Sequence, residues 1–370
     1  MTFRWMVTGV AALTLAGVSS AGEGTITGRF VVTRTVSDSQ SWLELRTIPA
    51  TTARALTPRP VPGEKRTECC ALFSPDGTKL AFIRHTQRTS KLLLLDMETG
   101  RLRTVVQRPG LRSWGYVWAR DSRSLLHSTY DRPVGKVRRF PVDGPGMTIS
   151  EIRSENGGTW PEGSSPDGSV ALVVESEGES LYFHYEGPDV LYALGAGGRV
   201  KLASTQSIGG ASWSPEGSLV AYTANCFSIC NIEAVRPDGS GRRRLTRFAT
   251  RTSPLAGYDE LSFDWAGRAG EIVYGRGLTL HGVDAASGDR RRIATLPCPR
   301  RRCVGPSLSI VAVSRERDVA IVFLSDARSI HEAGTPADDY RLYQVSLLTG
   351  AFVAADHFED ADDIWLGRSP

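Results

Sequence analysis

One short pattern recurs along the chain and decides which architecture it can adopt. The stretch ASWSPEGSLVAYTAN (residues 211–225) reads as a strand, a tight turn and a second strand, and ALFSPDGTKLAFIRH (71–85) has the same form. Weaker copies align on the residue before the turn, at Phe73, Trp118, Ser164, Trp213, Trp265, Val313 and Trp365. Successive gaps are 45, 46, 49, 52, 48 and 52 residues. A nearly fixed period over the whole chain predicts a repeat architecture.

Each repeat reads as four antiparallel strands. Pro215 presets φ at the first turn position and Gly217 can take φ > 0, which predicts a hairpin. The strand after the turn, SLVAYTA in this copy, is apolar on both alternating faces and is therefore expected to be covered on both. A third strand follows, and then a polar, arginine-bearing fourth strand, as in RLRTVV, RRRLTR and RRRIAT. A charged outer strand protects the edge of a sheet.

Such sheets, repeated without any helical 3.6-residue period, predict an all-β fold, a β-propeller of four-stranded antiparallel blades. The segment EDADDIWLGRSP (359–370) supplies an inner strand and its turn, while residues 28–57 supply later strands without an inner one. Joined, they make one further blade. The sequence therefore predicts a seven-bladed β-propeller closed by strands from both termini.

The first residues predict export. Arg4 provides a positively charged n-region, Met6 to Val18 form the apolar h-region, and Ser19-Ser20-Ala21 makes a small-residue cleavage site. This pattern is typical of a secretory signal peptide, and it is shorter than the roughly 20 apolar residues of a membrane anchor. We expect residues 1–21 to be the signal peptide and 22–370 a single propeller. The mature protein is then periplasmic or secreted, with no membrane span.

Charge gives little support for a polyanionic partner. The formal net charge is +4, from 44 Lys and Arg against 40 Asp and Glu. The near balance of basic and acidic residues argues against nucleic acid as a partner. The arginine runs 242–244, 290–292 and 300–302 are interpreted as solvated edges, with contact to an anionic envelope surface as the alternative.

Six cysteines in an exported chain are disulfide candidates. Two local bridges are predicted, Cys226 with Cys230 and Cys298 with Cys303. Cys69 and Cys70 are adjacent, and a bridge between neighbours is strained and uncommon. The alternative is a pair of buried thiols, one on each side of a strand. A zinc site is disfavoured because no pair has C-x2-C spacing and no histidine lies close to any pair.

The repeat motifs also carry a family resemblance. FSPDGTKLAF (73–82) and WSPEGSLVAY (213–222) resemble the WD40-like, PD40-type repeats of the TolB propeller family, and VRPDGSGRRRLT (235–246) is similar to its strand-turn-strand signature. The resemblance implies a rigid, exported propeller that binds a protein or peptide through its end loops. The TolB protein has a separate domain before its propeller, for which the repeats here leave no room. The fold is therefore implied, and a role in the Tol–Pal system is not.

The innermost strands are expected to line the channel, and their acidic residues are the first site candidates. Acidic side chains concentrate on two of these strands, at Asp259, Glu260, Asp264, Glu359, Asp360, Asp362 and Asp363. They are interpreted as an acidic sector for a basic peptide or a divalent cation such as Ca²⁺, or else as solvated turns. No inner segment contains a histidine, which disfavours a histidine-based site.

Tryptophans divide into two groups. Trp118, Trp213, Trp265 and Trp365 occupy one repeat position and are interpreted as wedges in the core between blades. Trp114 and Trp160 lie outside that pattern, nearer the channel, and are the candidate contact aromatics.

Two function classes remain. The first is an exported, non-catalytic, monomeric propeller that binds an envelope or periplasmic protein or peptide without a cofactor, a structural or sensory envelope module being a variant of it. The second is a lyase or hydrolase acting on a sugar or lactone, with a carboxylate-held metal in the channel. The chain contains no G-x-S-x-G for a serine hydrolase, and it ends on the closing strand, where peptidases with a TolB-like propeller continue into a hydrolase domain.

Overall fold

The computed structural model describes residues 28–37, 39–48, 53–108, 115–131, 134–153, 158–176, 180–181, 184–185, 188–226, 229–249, 261–266, 270–298, 306–314, 318–326 and 340–358. The secondary structure within these ranges consists of strands and turns, without a helix. None of these ranges contains a helix of the length and apolarity that a bilayer crossing requires. The chain divides into two compact units, residues 1–110 with 361–370, and residues 111–360.

The first unit contains one seven-stranded sheet. Four antiparallel strands make one complete repeat: β4 (Arg66–Phe73), β5 (Lys79–Thr86), β6 (Ser90–Asp96) and β7 (Leu102–Arg108). Three further strands precede them: β1 (Gly28–Ser37), β2 (Gln40–Ile48) and β3 (Ala53–Ala55). The register between β2 and β4 is a single parallel pair, Gln40 with Arg66. The inner strand predicted to complete β1–β3 falls on residues 359–370, outside the described ranges.

The second unit contains five four-stranded antiparallel sheets, each ordered as in the chain. Sheet I comprises β8 (Tyr116–Trp118), β9 (Ser124–Asp131), β10 (Val134–Pro141) and β11 (Met147–Arg153). Sheet II comprises β12 (Gly158–Ser164), β13 (Ala171–Ser176), β16 (Asp189–Gly195) and β17 (Gly198–Thr205). A separate small hairpin, β14 (Ser180–Leu181) with β15 (His184–Tyr185), comes between β13 and β16 in the chain. Sheet III comprises β18 (Ile208–Trp213), β19 (Val220–Ala224), β20 (Asn231–Val235) and β21 (Arg243–Arg244).

Sheet IV comprises β22 (Phe263–Trp265), β23 (Glu271–Arg276), β24 (Thr279–Asp284) and β25 (Arg290–Thr295). Sheet V comprises β26 (Pro306–Ser314), β27 (Val319–Asp326), β28 (Tyr340–Ser346) and β29 (Phe352–Phe358). The four-stranded antiparallel repeat predicted from the sequence is thereby confirmed. Seven blades and their closure by both termini stay predictions.

The Ser-Pro-acid-Gly motif forms the expected hairpin turn. In the copy after β4, the Ser74 N–H donates to the Lys79 carbonyl and the Gly77 N–H to the Ser74 carbonyl, each at 2.8 Å. Gly77 takes a φ of 68°, which a residue without Cβ adopts at no steric cost. The Ser74 hydroxyl donates to Asp76 Oδ1 at 2.6 Å, so the acid of the motif stabilises the turn itself. Turns of the same form connect β12 to β13 and β18 to β19.

The core lies between neighbouring sheets. All five residues of β19 are buried, with Tyr222 in the cluster shared with sheet II and Ala221 in the cluster shared with sheet IV. Trp265 is 0% exposed, and its indole N–H donates to the Ser212 carbonyl at 3.2 Å, which joins sheets III and IV. Trp118 and Trp213 are also buried, as predicted for the wedge position, and Trp365 lies outside the described residues.

Arginines of the outer strands do more than cover an edge. Arg242 Nε donates to Glu233 Oε2 at 2.8 Å, and Arg244 Nε lies 3.3 Å from Glu233 Oε1. Arg291 donates from Nε to Glu271 Oε1 at 2.6 Å and from Nη2 to Glu271 Oε2 at 3.1 Å. Most arginines of runs 242–244 and 290–292 are exposed, as predicted for solvated edges, and members of both runs in addition neutralise carboxylates on the middle strands of their sheets. Run 300–302 lies outside the described residues.

The cysteines agree with the predictions in part. Cys226 and Cys230 form a disulfide whose two residues are buried. Cys298 is disulfide-bonded, and its predicted partner Cys303 lies outside the described residues. Cys69 and Cys70 are reduced and partly exposed. Their side chains hydrogen-bond to each other, so the alternative that they face opposite sides of a strand is wrong.

Candidate functional site

The acidic sector predicted from the sequence falls almost entirely outside the described residues. Of its members only Asp264 is described, and its Oδ1 accepts the backbone N–H of Trp265 at 2.8 Å. The sector stays a prediction, as does the contact role of Trp114, which is not described either. Within the described ranges, no group of three or more His, Cys, Asp or Glu residues is placed to hold a metal ion.

Trp160, the other predicted contact aromatic, leads to a different pair of acids. It lies on β12, is partly buried against the cluster between sheets II and III, and its indole hydrogen-bonds to Glu162. The β12–β13 register shifts between Pro161 and Gly163, so Glu162 is the extra residue of a β-bulge. Bulges redirect a side chain out of the regular alternation.

The second acid is Asp189, the first residue of β16. Both acids bind β18, the first strand of the next sheet, sheet III. Glu162 Oε2 accepts the N–H of Ala211 at 3.1 Å, and Asp189 Oδ2 accepts the N–H of Ile208 at 2.8 Å. Asp189 is 2% exposed. We refer to Glu162 and Asp189 as the acid pair.

No basic side chain of the described chain forms an ion pair with the acid pair. Each of five other enclosed glutamates has at least one arginine within 4.0 Å: Glu44, Glu68, Glu175, Glu233 and Glu271. The acid pair therefore departs from the rule that the rest of the molecule follows, namely that buried charges are paired.

The consequence is a pair of carboxyls that titrate close to neutral pH. Burial raises the pKa of Glu162 to about 7, and the charge of Asp189 adds to the effect. Burial likewise raises the pKa of Asp189 to about 6. The charge of Asp189 therefore makes the proton of Glu162 harder to remove.

Of the acid pair, Glu162 is the member that is open to one side. Glu162 and Trp160 are only partly buried, and Gly209, the neighbouring residue on β18, is exposed. Gly210 follows it, and a Cβ at this position would lie 3.8 Å from Glu162 Oε2. Gly210 thus leaves β18 without a side chain next to this carboxylate. A negatively charged, partly enclosed site beside an indole suits a cationic group.

The loops at this end of the two sheets are held firmly. Register places the start of β16, the start of β18 and the end of β19 at the same end. The Asn225 N–H donates to the Ser207 carbonyl at 2.8 Å, and the Thr205 hydroxyl donates to Asn225 Oδ1 at 2.7 Å. The Cys226–Cys230 disulfide closes the loop that follows Asn225. The loops around Asp189 are therefore held in place before any ligand binds.

Sequence reasoning missed the acid pair for two reasons. Glu162 was part of a channel-lining segment, but it is a single acid there, and strand periodicity alone does not reveal a bulge. Asp189 begins a third strand, 27 positions after Glu162 (189 − 162), and nothing in its neighbourhood marks it. One sequence feature could have pointed to acids without an arginine partner in this repeat. Its outer strand, RVKLAST, carries fewer arginines than RRRLTR or RRRIAT.

The raised pKa values predict an unusual dependence of stability on pH. Because the folded values lie above the ordinary carboxyl range, stability falls as pH rises from about 4 to about 7. We expect the double variant Glu162→Gln, Asp189→Asn to be more stable than the parent at pH 8 by about 1–3 kcal/mol, with the advantage shrinking towards pH 4. Urea unfolding at a series of pH values measures this difference.

The matched control for this measurement is Glu216→Gln, which removes one exposed charge at the turn between β18 and β19, the opposite end of sheet III. Its difference from the parent should change little between pH 4 and 8. A double-variant difference that is equally independent of pH would contradict the shifted titration.

Comparison with known proteins addresses the fold. No protein-family model matches the chain, and no curated protein matches it in sequence. Among solved structures, a prolyl endopeptidase is similar with a TM-score of 0.61 and 16% identity, over 96% of this chain and 51% of that one. An oligogalacturonate lyase in complex with manganese is similar with a TM-score of 0.57 and 14% identity, over 87% of this chain and 83% of that one.

TolB from Acinetobacter baumannii has a TM-score of 0.46 and 15% identity, over 71% of this chain and 62% of that one. The chain thus spans about half of the prolyl endopeptidase and less than two thirds of TolB. At these identities a likeness shows the fold alone. The similarity to the endopeptidase and the lyase supports a β-propeller scaffold for this chain.

Proposed function

We propose that this chain is an exported, non-catalytic, TolB-like propeller of seven blades, closed by both termini, that binds a protein or peptide of the bacterial envelope or periplasm. In this proposal a cationic group of the partner, a lysine ammonium or an arginine guanidinium, enters beside Trp160 and contacts the acid pair. The loops at the same end of sheets II and III contact the rest of the partner. The observation that carries the proposal concerns the described residues: none of their basic side chains pairs with these two enclosed carboxylates, whereas Glu44, Glu68, Glu175, Glu233 and Glu271 each pair with an arginine.

The cost of the arrangement supports a binding role. Two carboxyls with raised pKa values reduce stability at neutral pH, whereas Gln and Asn would accept the same backbone N–H groups without that cost. Residues that tie strands together only for stability need no charge here. Strongly perturbed titratable groups in a partly open site are typical of functional sites.

The arrangement also suits a cation in particular. Charge–charge attraction is stronger in an enclosed site than in water, and an indole face adds about 0.5–2 kcal/mol to the binding of a cation. A bound cation would lower both raised pKa values, because an opposite charge favours the ionised form. Binding should therefore strengthen as pH rises above the range in which the acid pair titrates.

Isothermal titration with matched short peptides tests the proposal. The peptides differ only at one position, lysine against norleucine and arginine against citrulline, so that charge changes while size is kept. At pH 8 we expect measurable binding of the cationic members only. The double variant Glu162→Gln, Asp189→Asn should bind them about 30-fold or more weakly, because an uncompensated charge in such a site costs 2 kcal/mol or more.

Two variants control for indirect effects. Glu216→Gln makes a comparable charge change at the opposite end of sheet III and should leave binding unchanged. Gly210→Ala keeps all charges but adds a methyl group in van der Waals contact with Glu162, so it should weaken binding while preserving the melting temperature. Equal binding of charged and neutral peptides, or full binding by the double variant, would reject the acid pair as the contact site.

Affinity capture from an envelope extract addresses the natural partner. Parent and double variant are cross-linked in parallel, and the captured proteins are identified by mass spectrometry. A stoichiometric partner held by the parent and lost from the double variant supports the proposal. A partner held equally by both would place the binding surface elsewhere on the end loops.

An enzyme is the second candidate, and one observation favours it. A carboxyl whose pKa lies at about 7, as for Glu162, is well matched to general acid–base catalysis at neutral pH. The reaction would be the lyase or hydrolase chemistry on a sugar or lactone considered above. Turnover of uronic-acid oligosaccharides or lactones in the presence of a divalent cation, lost in Glu162→Gln, would overturn the non-catalytic assignment.

A further inference from the structure

The adjacent cysteines of β4 occupy an irregular part of the first unit. Cys69 pairs with Ile83 of β5, and regular pairing resumes only at Leu72, so Cys70 belongs to a β-bulge. Cys70 takes a φ of 62°, a left-handed conformation that is uncommon for a residue with Cβ. The bulge breaks the alternation of side chains, and the two thiols therefore lie together and hydrogen-bond.

A histidine lies beside Cys69, although it comes 15 positions after Cys70 in the chain (85 − 70). His85 Nε2 is 3.9 Å from Cys69 Sγ, because the β4–β5 hairpin folds it back. Its Nδ1 is 2.7 Å from the hydroxyl of Ser90, a buried residue of β6. Ser90 thus orients the ring so that Nε2 faces the sulfur. Glu68 precedes Cys69 in the chain and Arg84 precedes His85. These two charged residues form an ion pair with each other, with Arg84 Nη2 2.6 Å from Glu68 Oε1.

The two cysteines are poor single nucleophiles. Both cysteines are partly exposed and reduced. The hydrogen bond from Cys70 and burial raise the pKa of Cys69 well above its ordinary value, against a smaller opposing effect of His85. A thiol that stays protonated at neutral pH reacts slowly on its own. The geometry therefore favours a ligand that engages both sulfurs at once over one that needs a single activated thiolate.

A direct disulfide between Cys69 and Cys70 fits the backbone less well than a bridge through one additional atom. Neighbouring Cα atoms are about 3.8 Å apart, whereas disulfides usually span about 4.4–6.8 Å. One atom placed between the sulfurs lengthens the bridge and relieves this mismatch. Soft sulfur ligands select soft, thiophilic elements.

We propose that Cys69 and Cys70 form a dithiol site that captures a thiophilic metalloid of the trivalent arsenic class. With an organoarsenic oxide, two As–S bonds form while the As=O bond and two S–H bonds break. Both protons leave with the oxygen as one water molecule, and no atom changes oxidation state. His85 takes the proton of Cys69 and passes it to the departing oxygen, so it accelerates capture without contributing a ligand.

The test uses phenylarsine oxide and intact-protein mass spectrometry of the full mature chain. We expect one phenylarsenic group per chain, with loss of two hydrogen atoms, that resists a monothiol and is released by a dithiol. Cys69→Ala should abolish the adduct. Cys70→Asn should abolish it too, and asparagine is chosen because it tolerates the left-handed backbone that Cys70 occupies. His85→Gln should form the same adduct about tenfold more slowly.

Further measurements keep the proposal falsifiable. The Cys226→Ser, Cys230→Ser variant should bind the arsenical like the parent, provided that its circular dichroism spectrum is unchanged. Iodoacetamide labelling shows whether both thiols are reduced and reachable. Labelling of both without any arsenic adduct would overturn the proposal, as would an adduct that survives in Cys70→Asn. A parent chain two hydrogen atoms lighter at this site would also overturn it, since the pair would then be a structural disulfide.

Discussion

Replacing Trp265 by alanine is expected to lower the free energy of unfolding of the second unit by about 3–5 kcal/mol, the range for a large aromatic removed from a core. The side chain is 0% exposed and lies in the cluster between sheets III and IV. Its indole N–H also donates to the Ser212 carbonyl of sheet III at 3.2 Å. Alanine would leave both a cavity and an unpaired carbonyl. Urea unfolding followed by far-ultraviolet circular dichroism measures the loss.

The control for this prediction is Trp265→Phe, which keeps most of the apolar volume and removes the hydrogen bond. We expect it to cost about 1–2 kcal/mol, clearly less than alanine. A loss below about 1 kcal/mol for Trp265→Ala would mean that the sheets can close over the cavity. The tryptophan would then not act as a wedge.

The second large effect is expected at Glu233. This carboxylate is 2% exposed and accepts hydrogen bonds from the Tyr222 hydroxyl at 2.7 Å and from Arg242 at 2.8 Å. Burial alone would raise its pKa, but the hydrogen bonds from these two donors outweigh burial and lower it. Glu233→Ala leaves a buried phenol without an acceptor. We expect a loss of about 2–4 kcal/mol, less than for a fully buried pair because the arginines reach water.

Glu233→Gln separates charge from hydrogen bonding, since the amide oxygen still accepts from Tyr222. Its cost should be smaller than that of alanine at pH 7. Because the folded pKa of Glu233 is lowered, the contribution of its charge is present above the ordinary glutamate pKa and is lost as pH falls through the folded value. The parent and Glu233→Gln should therefore converge in stability in acid. A gap that widens as pH falls would contradict the assignment.

Glu233 and Glu162 show why the candidate site needed the structure. Both are single acids within strand segments, and in sequence neither stands out. Arg244 on β21, the strand after Glu233, and Arg242, one residue before that strand, neutralise it. Glu162 projects from a bulge, Asp189 begins another strand, and both meet the backbone of sheet III. Only the packing of sheet II against sheet III reveals that no arginine in the described part of the chain pairs with these two carboxylates.

The dithiol site illustrates the same limit at shorter range. Adjacent cysteines in a regular strand would point to opposite faces, which is the alternative that the sequence suggested. The left-handed φ of Cys70 overrides the alternation. Hairpin pairing then brings His85 to within 3.9 Å of Cys69. Neither the bulge nor the register can be read from the order of residues alone.

By itself, the sequence determined the features that depend on near neighbours. The repeat period, the Ser-Pro-acid-Gly turn, the four strands of each sheet and the Cys226–Cys230 disulfide follow from backbone preferences and short loops, which act within about ten residues. The tertiary structure decided which carboxylates an arginine neutralises and which stay uncompensated, and which histidine lies beside the thiols. These outcomes depend on sheet packing and on a bulge, which bring together residues whose separation in sequence carries no signal.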